Sequence, residues 1–217
     1  MQRYIFYRFF CDRRIINKEN DLILRVNYDA MEEEIKKCAQ MLLEGKVILY
    51  PTDTVWGIGC DATNDEAIDR IYSIKQRQES KSMIILLDRM ERIPYYISRV
   101  PLIAWDLMEH IDRPTTCIYP NARNLSSKAM AADQSIAIRI VRNSFCRKLI
   151  KAIDRPLVST SANLSGQPAA ATFHEISPEI IKQMDYVVPE KYAVSTDYKP
   201  SRIIRFMDDY NFVIVRE

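Results

Sequence analysis

What this chain of 217 residues has little of narrows its chemistry first. It has four glycines and no Gly-x-Gly-x-x-Gly, so the dinucleotide fingerprint is missing, and Gly57-x-Gly59 alone is a weak signal. It has two histidines, His110 and His174, and five scattered cysteines with no Cys-x-x-Cys pair. That argues against a zinc site, a dithiol redox motif or a built-in metal, and it fits a reducing cytoplasm. No stretch approaches the roughly 18 uninterrupted apolar residues of a membrane-spanning helix. The start, "MQRYIFYRFFCDRR", is broken by Arg8 and followed by Arg13-Arg14, so it reads as a cytoplasmic tail rather than a signal peptide. Charge of one sign is missing too: with a net charge of +2, any affinity for nucleotide or nucleic acid must come from basic residues gathered locally.

What is present is the balance of a soluble globular protein, 47% hydrophobic and 28% charged, in a length that suits one domain. Helical and strand patterns alternate. "YDAMEEEIKKCAQMLLEGK" reads as a helix with Asp29 as cap and Gly45 at its end. "TNDEAIDRIYSIKQR" reads as a second helix, capped by Asn64, with Ala67, Ile68, Ile71 and Ile74 at helical spacing. "PLIAWDLMEHI" and "SFCRKLIKAI" are further helices, and a short one starts near Ser177-Pro178. Strands are expected at "VILY", "SMIILLD", "TTCIY", "SIAIRIV", "PLVST", "YVV", "RIIRF" and "FVIV". The order predicts an α/β (α+β) domain on a twisted mixed sheet with flanking helices. A tail is expected over residues 1–26 and a catalytic domain over 27–217.

Three segments carry polar groups worth weighing. In "YPTDTVWGIGC" Pro51 removes a donor and should end the strand, leaving Thr52 and Thr54 at its tip. The segment is either a turn whose side chains satisfy their own backbone or one wall of a small polar site. In "KQRQESK", Lys75, Arg77 and Lys81 gather at a helix end and before a strand. They complement the helix dipole, or converge on phosphate. In "PLVSTSANLSGQP", Ser159, Thr160, Ser161 and Asn163 follow a buried strand, as a polar turn or as an anion site. Arg139 lies in "SIAIRIV" on the face opposite Ile136, Ile138 and Ile140, where it needs a carboxylate, a phosphate or solvent.

In order and spacing, "YPTDTVWGIGCDA", "IYSIKQRQESKSMIILL", "SIAIRI", "PLVSTSANLSGQPAA" and "KPSRII" resemble the YrdC-like threonylcarbamoyl-AMP synthases, in the short bacterial form. The resemblance runs from about Ala30 to the end. It implies a concave basic cavity and an enzyme, a nucleotidyltransferase, that joins L-threonine, bicarbonate and ATP into threonylcarbamoyl-AMP and pyrophosphate. The product would pass to a separate tRNA threonylcarbamoyl-transfer complex. The resemblance implies that Thr52, Ser135, Arg139 and Thr160 bind substrate. It implies that Lys75, Arg77, Lys81, Ser161, Asn163, Ser201 and Arg216 bind ATP, with Lys75 and Arg77 catalytic and Mg2+ carried by the nucleotide. Gln78 stands where the family commonly has proline, and "IDRPTTCIY" keeps Pro114 and Thr116 of a Trp-Pro-Gly-Pro region. The competing expectation is a module that binds double-stranded RNA or tRNA, or a paralogue without synthase activity.

Overall fold

The computed structural model describes residue 26 and residues 28–76, 83–193 and 199–217. The expected tail lies outside the described residues apart from Val26, as do Arg77 and Lys81. The chain runs from helix α1 (28–43) through β1 (Ile48–Tyr50), β2 (Gly57–Gly59) and α2 (Asp65–Lys75) to β3 (Ile84–Leu87). The short α3 (Ile93–Tyr96) and α4 (Leu102–His110) lead to β4 (Thr115–Tyr119) and β5 (Ile136–Ile140). Then come α5 (Ser144–Ile153), β6 (Leu157–Ser161), α6 (Pro178–Ile181), β7 (Tyr186–Val187), β8 (Arg202–Phe206) and β9 (Phe212–Arg216). No helix among the described residues is long and apolar enough to cross a membrane.

The expected punctuation is seen in most places. Gly45, at φ 78, ends α1, with Lys46 N donating to Met41 O and Gly45 N to Leu42 O, the paired bonds of a Schellman motif. Asn64 caps α2 by accepting from Ala67 N, and Ser177 caps α6 by accepting from Glu179 N. Asp29 is not a cap. Residues 26 and 28 are already helical, so Asp29 sits inside α1, where an acid still suits the positive end of the dipole.

The strands form one mixed sheet in the order β7-β1-β2-β6-β3-β5-β4-β8-β9. β2 is a strand within what reads from sequence as a turn. Its three residues pair antiparallel with β1 on one side, and Gly57 and Ile58 pair antiparallel with β6 on the other. Pro51 ends β1, as expected of a residue without an amide donor.

Alternation sorts the sheet into two faces. Leu49, Ile58, Ile85, Ile138 and Val158 pack with α2 residues such as Ile68 and Ile71. On the other face Ile48, Tyr50, Leu86 and Leu157 pack with Leu42 of α1 and Phe145 and Leu149 of α5. That second cluster does not extend over the whole face. Gly57, Ala137, Arg139 and Ser159 line a pocket there instead.

Candidate functional site

The pocket has a volume of about 310 Å³, near the lower end for small-ligand sites. β6 brings Ser159, Thr160 and Ser161 to it, and β5 brings Arg139. Ser201, just before β8, and Arg216, near the end of β9, close the far side. Trp56 and Ile84 add apolar wall, and Trp56 is held from behind by Phe173, with ring centroids 4.9 Å apart.

Arg139 is 4% exposed, so its charge must be answered. Its only ion pair among the described residues is with Asp53, Nη2 to Oδ1, at 3.2 Å. The alignment is poor: neither Asp53 Oδ1 nor Arg139 Nε makes a hydrogen bond within the described residues. Thr52 Oγ1 is a weak second partner, 3.5 Å from Nη2. The second guanidinium, Arg216, donates through Nε and Nη2 to Ser201 O at 3.1 and 2.7 Å. Burial first, then the charge of Arg139, holds the pKa of Arg216 below the ordinary arginine value. Two guanidiniums thus face one pocket with a single carboxylate among the described residues, that of Asp53, to answer them.

The "YPTDTVWGIGC" segment shapes the other wall. The Thr52 hydroxyl donates to Val55 O at 2.7 Å, accepts from Thr54 N at 3.1 Å and lies 3.0 Å from Thr54 Oγ1. It is spent on the turn, and Thr54 rather than Thr52 lines the pocket. The glycines have separate reasons. Gly57 lines the pocket, whereas a Cβ on Gly59 would meet Val158 O at 2.3 Å and Tyr50 Cε1 at 2.6 Å. Gly59 therefore makes room for the fully buried Tyr50, whose hydroxyl donates to Val158 O.

Lys75 does not line the pocket. Its ammonium, on a side chain from the last turn of α2, donates to Ser161 O at 2.5 Å and Asn163 O at 2.6 Å. Ser165 N donates back to Lys75 O, so α2 clasps the chain after β6 from both sides. Asn163 Nδ2 closes the same loop on Leu164 O and Gln167 O, while its buried Oδ1 has no hydrogen bond within the described residues. Ser135, just before β5, donates its hydroxyl to Asp133 Oδ1 at 2.6 Å and does not line the pocket. The structure thus brings Arg139, Thr160, Ser161, Ser201 and Arg216 to one pocket. Thr52, Lys75 and Asn163 stand behind its walls, and Ser135 stands aside.

The binding residues that the resemblance implies leave out Thr54, Asp53 and Thr116. The first two sit in the motif that drew attention to Thr52. Thr116 is fully buried opposite Arg139 in the β4–β5 ladder, and its Oγ1 lies 2.7 Å from Ser201 Oγ. That bond fixes the hydroxyl lining the pocket beside Arg216.

The family model Sua5_yciO_yrdC, described as "Telomere recombination", matches residues 40–217. The chain belongs to the Sua5/YciO/YrdC family. Among curated relatives, the threonylcarbamoyl-AMP synthase of Pseudoalteromonas translucida is 33% identical over 165 residues, 75% of this chain and 87% of the relative. The threonylcarbamoyl-AMP synthase of Vibrio cholerae is 33% identical over 177 residues, 80% of this chain and 93% of the relative. Of solved Sua5/YciO/YrdC structures, YciO of E. coli superposes with a TM-score of 0.74 at 25% identity, over 84% of this chain and 88% of that one. Sua5 of P. abyssi complexed with L-threonine gives 0.76 at 24% identity, and at that identity it shows the fold alone. This chain spans about half the length of that Sua5, 53%. The match confirms the mixed α/β domain expected from the order of elements.

Proposed function

We propose that this protein is a threonylcarbamoyl-AMP synthase, joining L-threonine, bicarbonate and ATP with release of pyrophosphate and water. The observation that carries the reading is the pairing of Arg139 and Arg216 across a hydroxyl-lined pocket, with Asp53 as the only countercharge among the described residues. Among the described residues one positive charge is left over, which suits the carboxylate of an amino acid. Relatives 33% identical carry the synthase name, and that supports the same chemistry here.

The reaction asks for no enzyme nucleophile. The amine of threonine takes up the carbon of bicarbonate to give a carbamate, whose oxygen attacks the α-phosphorus as pyrophosphate leaves. Catalysis is then alignment of two anions that repel each other, together with neutralisation of the triphosphate. On this reading Arg139 holds the substrate carboxylate, with Thr54 and Thr160 beside it and Thr52 keeping the turn in place. Ser161, Ser201 and Arg216 meet the nucleotide. Lys75 and Asn163 fix the wall the nucleotide meets, and Lys75, Arg77 and Lys81 supply its phosphate charge. Among the described residues no group of three or more His, Cys, Asp or Glu side chains could hold a metal. On this reading Mg2+ would enter with the triphosphate and add positive charge there. A tRNA threonylcarbamoyl-transfer complex is the expected recipient of the product.

The test is incubation of the pure protein with ATP, labelled bicarbonate and L-threonine. Threonine-dependent pyrophosphate release with label in an adenylate is the expected result. RNA binding that falls steeply with salt, without turnover, would overturn the reading in favour of an RNA-binding module.

A further inference from the structure

A second cavity, of about 280 Å³, opens at the other end of β5, where Ile140, Val141 and Arg142 line it. It shares no lining residue with the pocket of Arg139. Four arginines reach it, Arg89, Arg113, Arg142 and Arg147, against two acids, Asp88 and Glu91.

The acids answer only part of the arginine charge, Asp88 being taken up by Arg89. Asp88, 7% exposed, is already engaged, with Oδ2 2.6 Å from Arg89 and Oδ1 3.4 Å from Arg92, which stands outside the cavity. The Arg142 guanidinium is fixed by neutral groups, donating to the carbonyls of Ile111 and Asp112 past the end of α4. Its orientation is set while its charge stays unmatched by any carboxylate among the described residues. Arg113 reaches an exposed carboxylate, Glu217 at 3.3 Å, which also serves Arg202. Arg147 is exposed and has no ion-pair partner among the described residues. Below this rim lies an apolar floor that includes Met108, Ile111 and Ile140.

Four arginines and two acids leave the lining formally two charges positive. A cluster of forked guanidinium donors above an apolar floor suits a doubly charged phosphate monoester with an organic body. We propose that this cavity binds a phosphate ester of nucleotide size, its phosphate on Arg147 and Arg142 and its organic part on the Met108–Ile140 floor. The same chemistry could come from a free nucleotide or from the 5′-phosphate of an RNA end. The assignment stands apart from the synthase reading, because it uses none of that site's residues.

Calorimetric titration of the full chain with AMP tests it, since the first pocket and this cavity should give two binding events. Arg147→Glu should weaken one event at least tenfold and leave the other, and adenylate synthesis, unchanged. Arg147→Ala should show a smaller loss in the same event. Adenosine, lacking phosphate, should give no such event, and AMP should slow amide exchange over residues 140–147. Repeating the titration with a 5′-phosphorylated RNA tetramer and its unphosphorylated twin identifies the source. AMP binding that is sensitive to Arg147→Glu points to free nucleotide; binding of the phosphorylated tetramer alone, equally sensitive, points to an RNA end. A single class of AMP sites with no tetramer binding overturns the proposal, and so do affinities that ignore both substitutions.

Discussion

Asp53 stands behind Arg139 with one carboxylate oxygen 3.2 Å from the guanidinium and the other accepting the Arg142 amide at 3.1 Å. The carboxylate is thereby tied to the backbone at the end of β5, and it steadies a buried cation without lining the pocket. Asp53→Asn keeps the shape and an acceptor for the amide but deletes the charge. The expected outcome is a KM for threonine raised about tenfold, or about 1.4 kcal/mol, because Arg139 loses its orientation. Inhibition by pyrophosphate should tighten at the same time, since the pocket is one charge more positive. A purely structural role would weaken both together, and unchanged kinetics would remove Asp53 from the site altogether.

Lys75 is a brace as well as a charge. The residue is 3% exposed and its ammonium serves Ser161 O and Asn163 O, so Lys75→Met takes the ammonium from both carbonyls and leaves Ser161 O with the Asn163 amide as its donor. The stability lost should be about 1–3 kcal/mol, read from urea denaturation, with ATP-dependent turnover falling at least a hundredfold at temperatures where the variant is folded. Full stability with activity lost would mean that Lys75 acts on phosphate alone. Full activity would take it out of the machinery.

Much of this frame is legible in the sequence, and the misses have local causes. The 3.6-residue spacing of Ala67, Ile68, Ile71 and Ile74 reports burial directly, whereas the alternation around Arg139 reports only which face each side chain takes, since β5 is buried on both faces. β2 is illegible because Gly-Ile-Gly has neither strand propensity nor length; it is a strand because β1 and β6 flank it and Tyr50 fills the space its glycines leave. The motif with Thr52, Asp53 and Thr54 flags a site without saying which hydroxyl faces it, since the turn's own hydrogen bonds decide that. The partners of Lys75 lie 86 and 88 residues away, a distance no local pattern reports.

Gly59→Ala and Gly57→Ala should separate fold from site. At Gly59 the new methyl would meet a backbone oxygen at 2.3 Å and a fully buried ring at 2.6 Å, neither able to yield. About 3 kcal/mol or more of stability should be lost. At Gly57 the nearest atom is Ser159 Oγ at 3.0 Å, a hydroxyl that can rotate, so stability should change by under about 1 kcal/mol. The methyl there narrows the pocket, so its effect should appear in KM. Thermal melts and kinetics of the two variants check this, and equal destabilisation would refute the separate reasons given for the two glycines.

Alkaline pH should loosen the fold through its thiols. Cys38, Cys60, Cys117 and Cys146 are all fully buried. Burial, helped by the charge of Glu34, pushes the Cys38 thiol up to about 12, and burial alone pushes Cys117 up to about 12. Cys60 and Cys146 move in the same direction, as do the buried phenols of Tyr50 and Tyr119. In each case the folded state keeps a proton that the unfolded chain gives up, so the unfolded state binds fewer protons as pH rises. The contribution is intact below the ordinary thiol value of 9.0 and is lost progressively from there toward about 12. Denaturation midpoints should therefore be insensitive to these groups up to pH 9 and fall steeply above it. At pH 8 the four thiols should react with a disulfide reagent only as fast as the protein opens. Rapid labelling of any of them in the native state, or stability that holds level to pH 11, would refute the account.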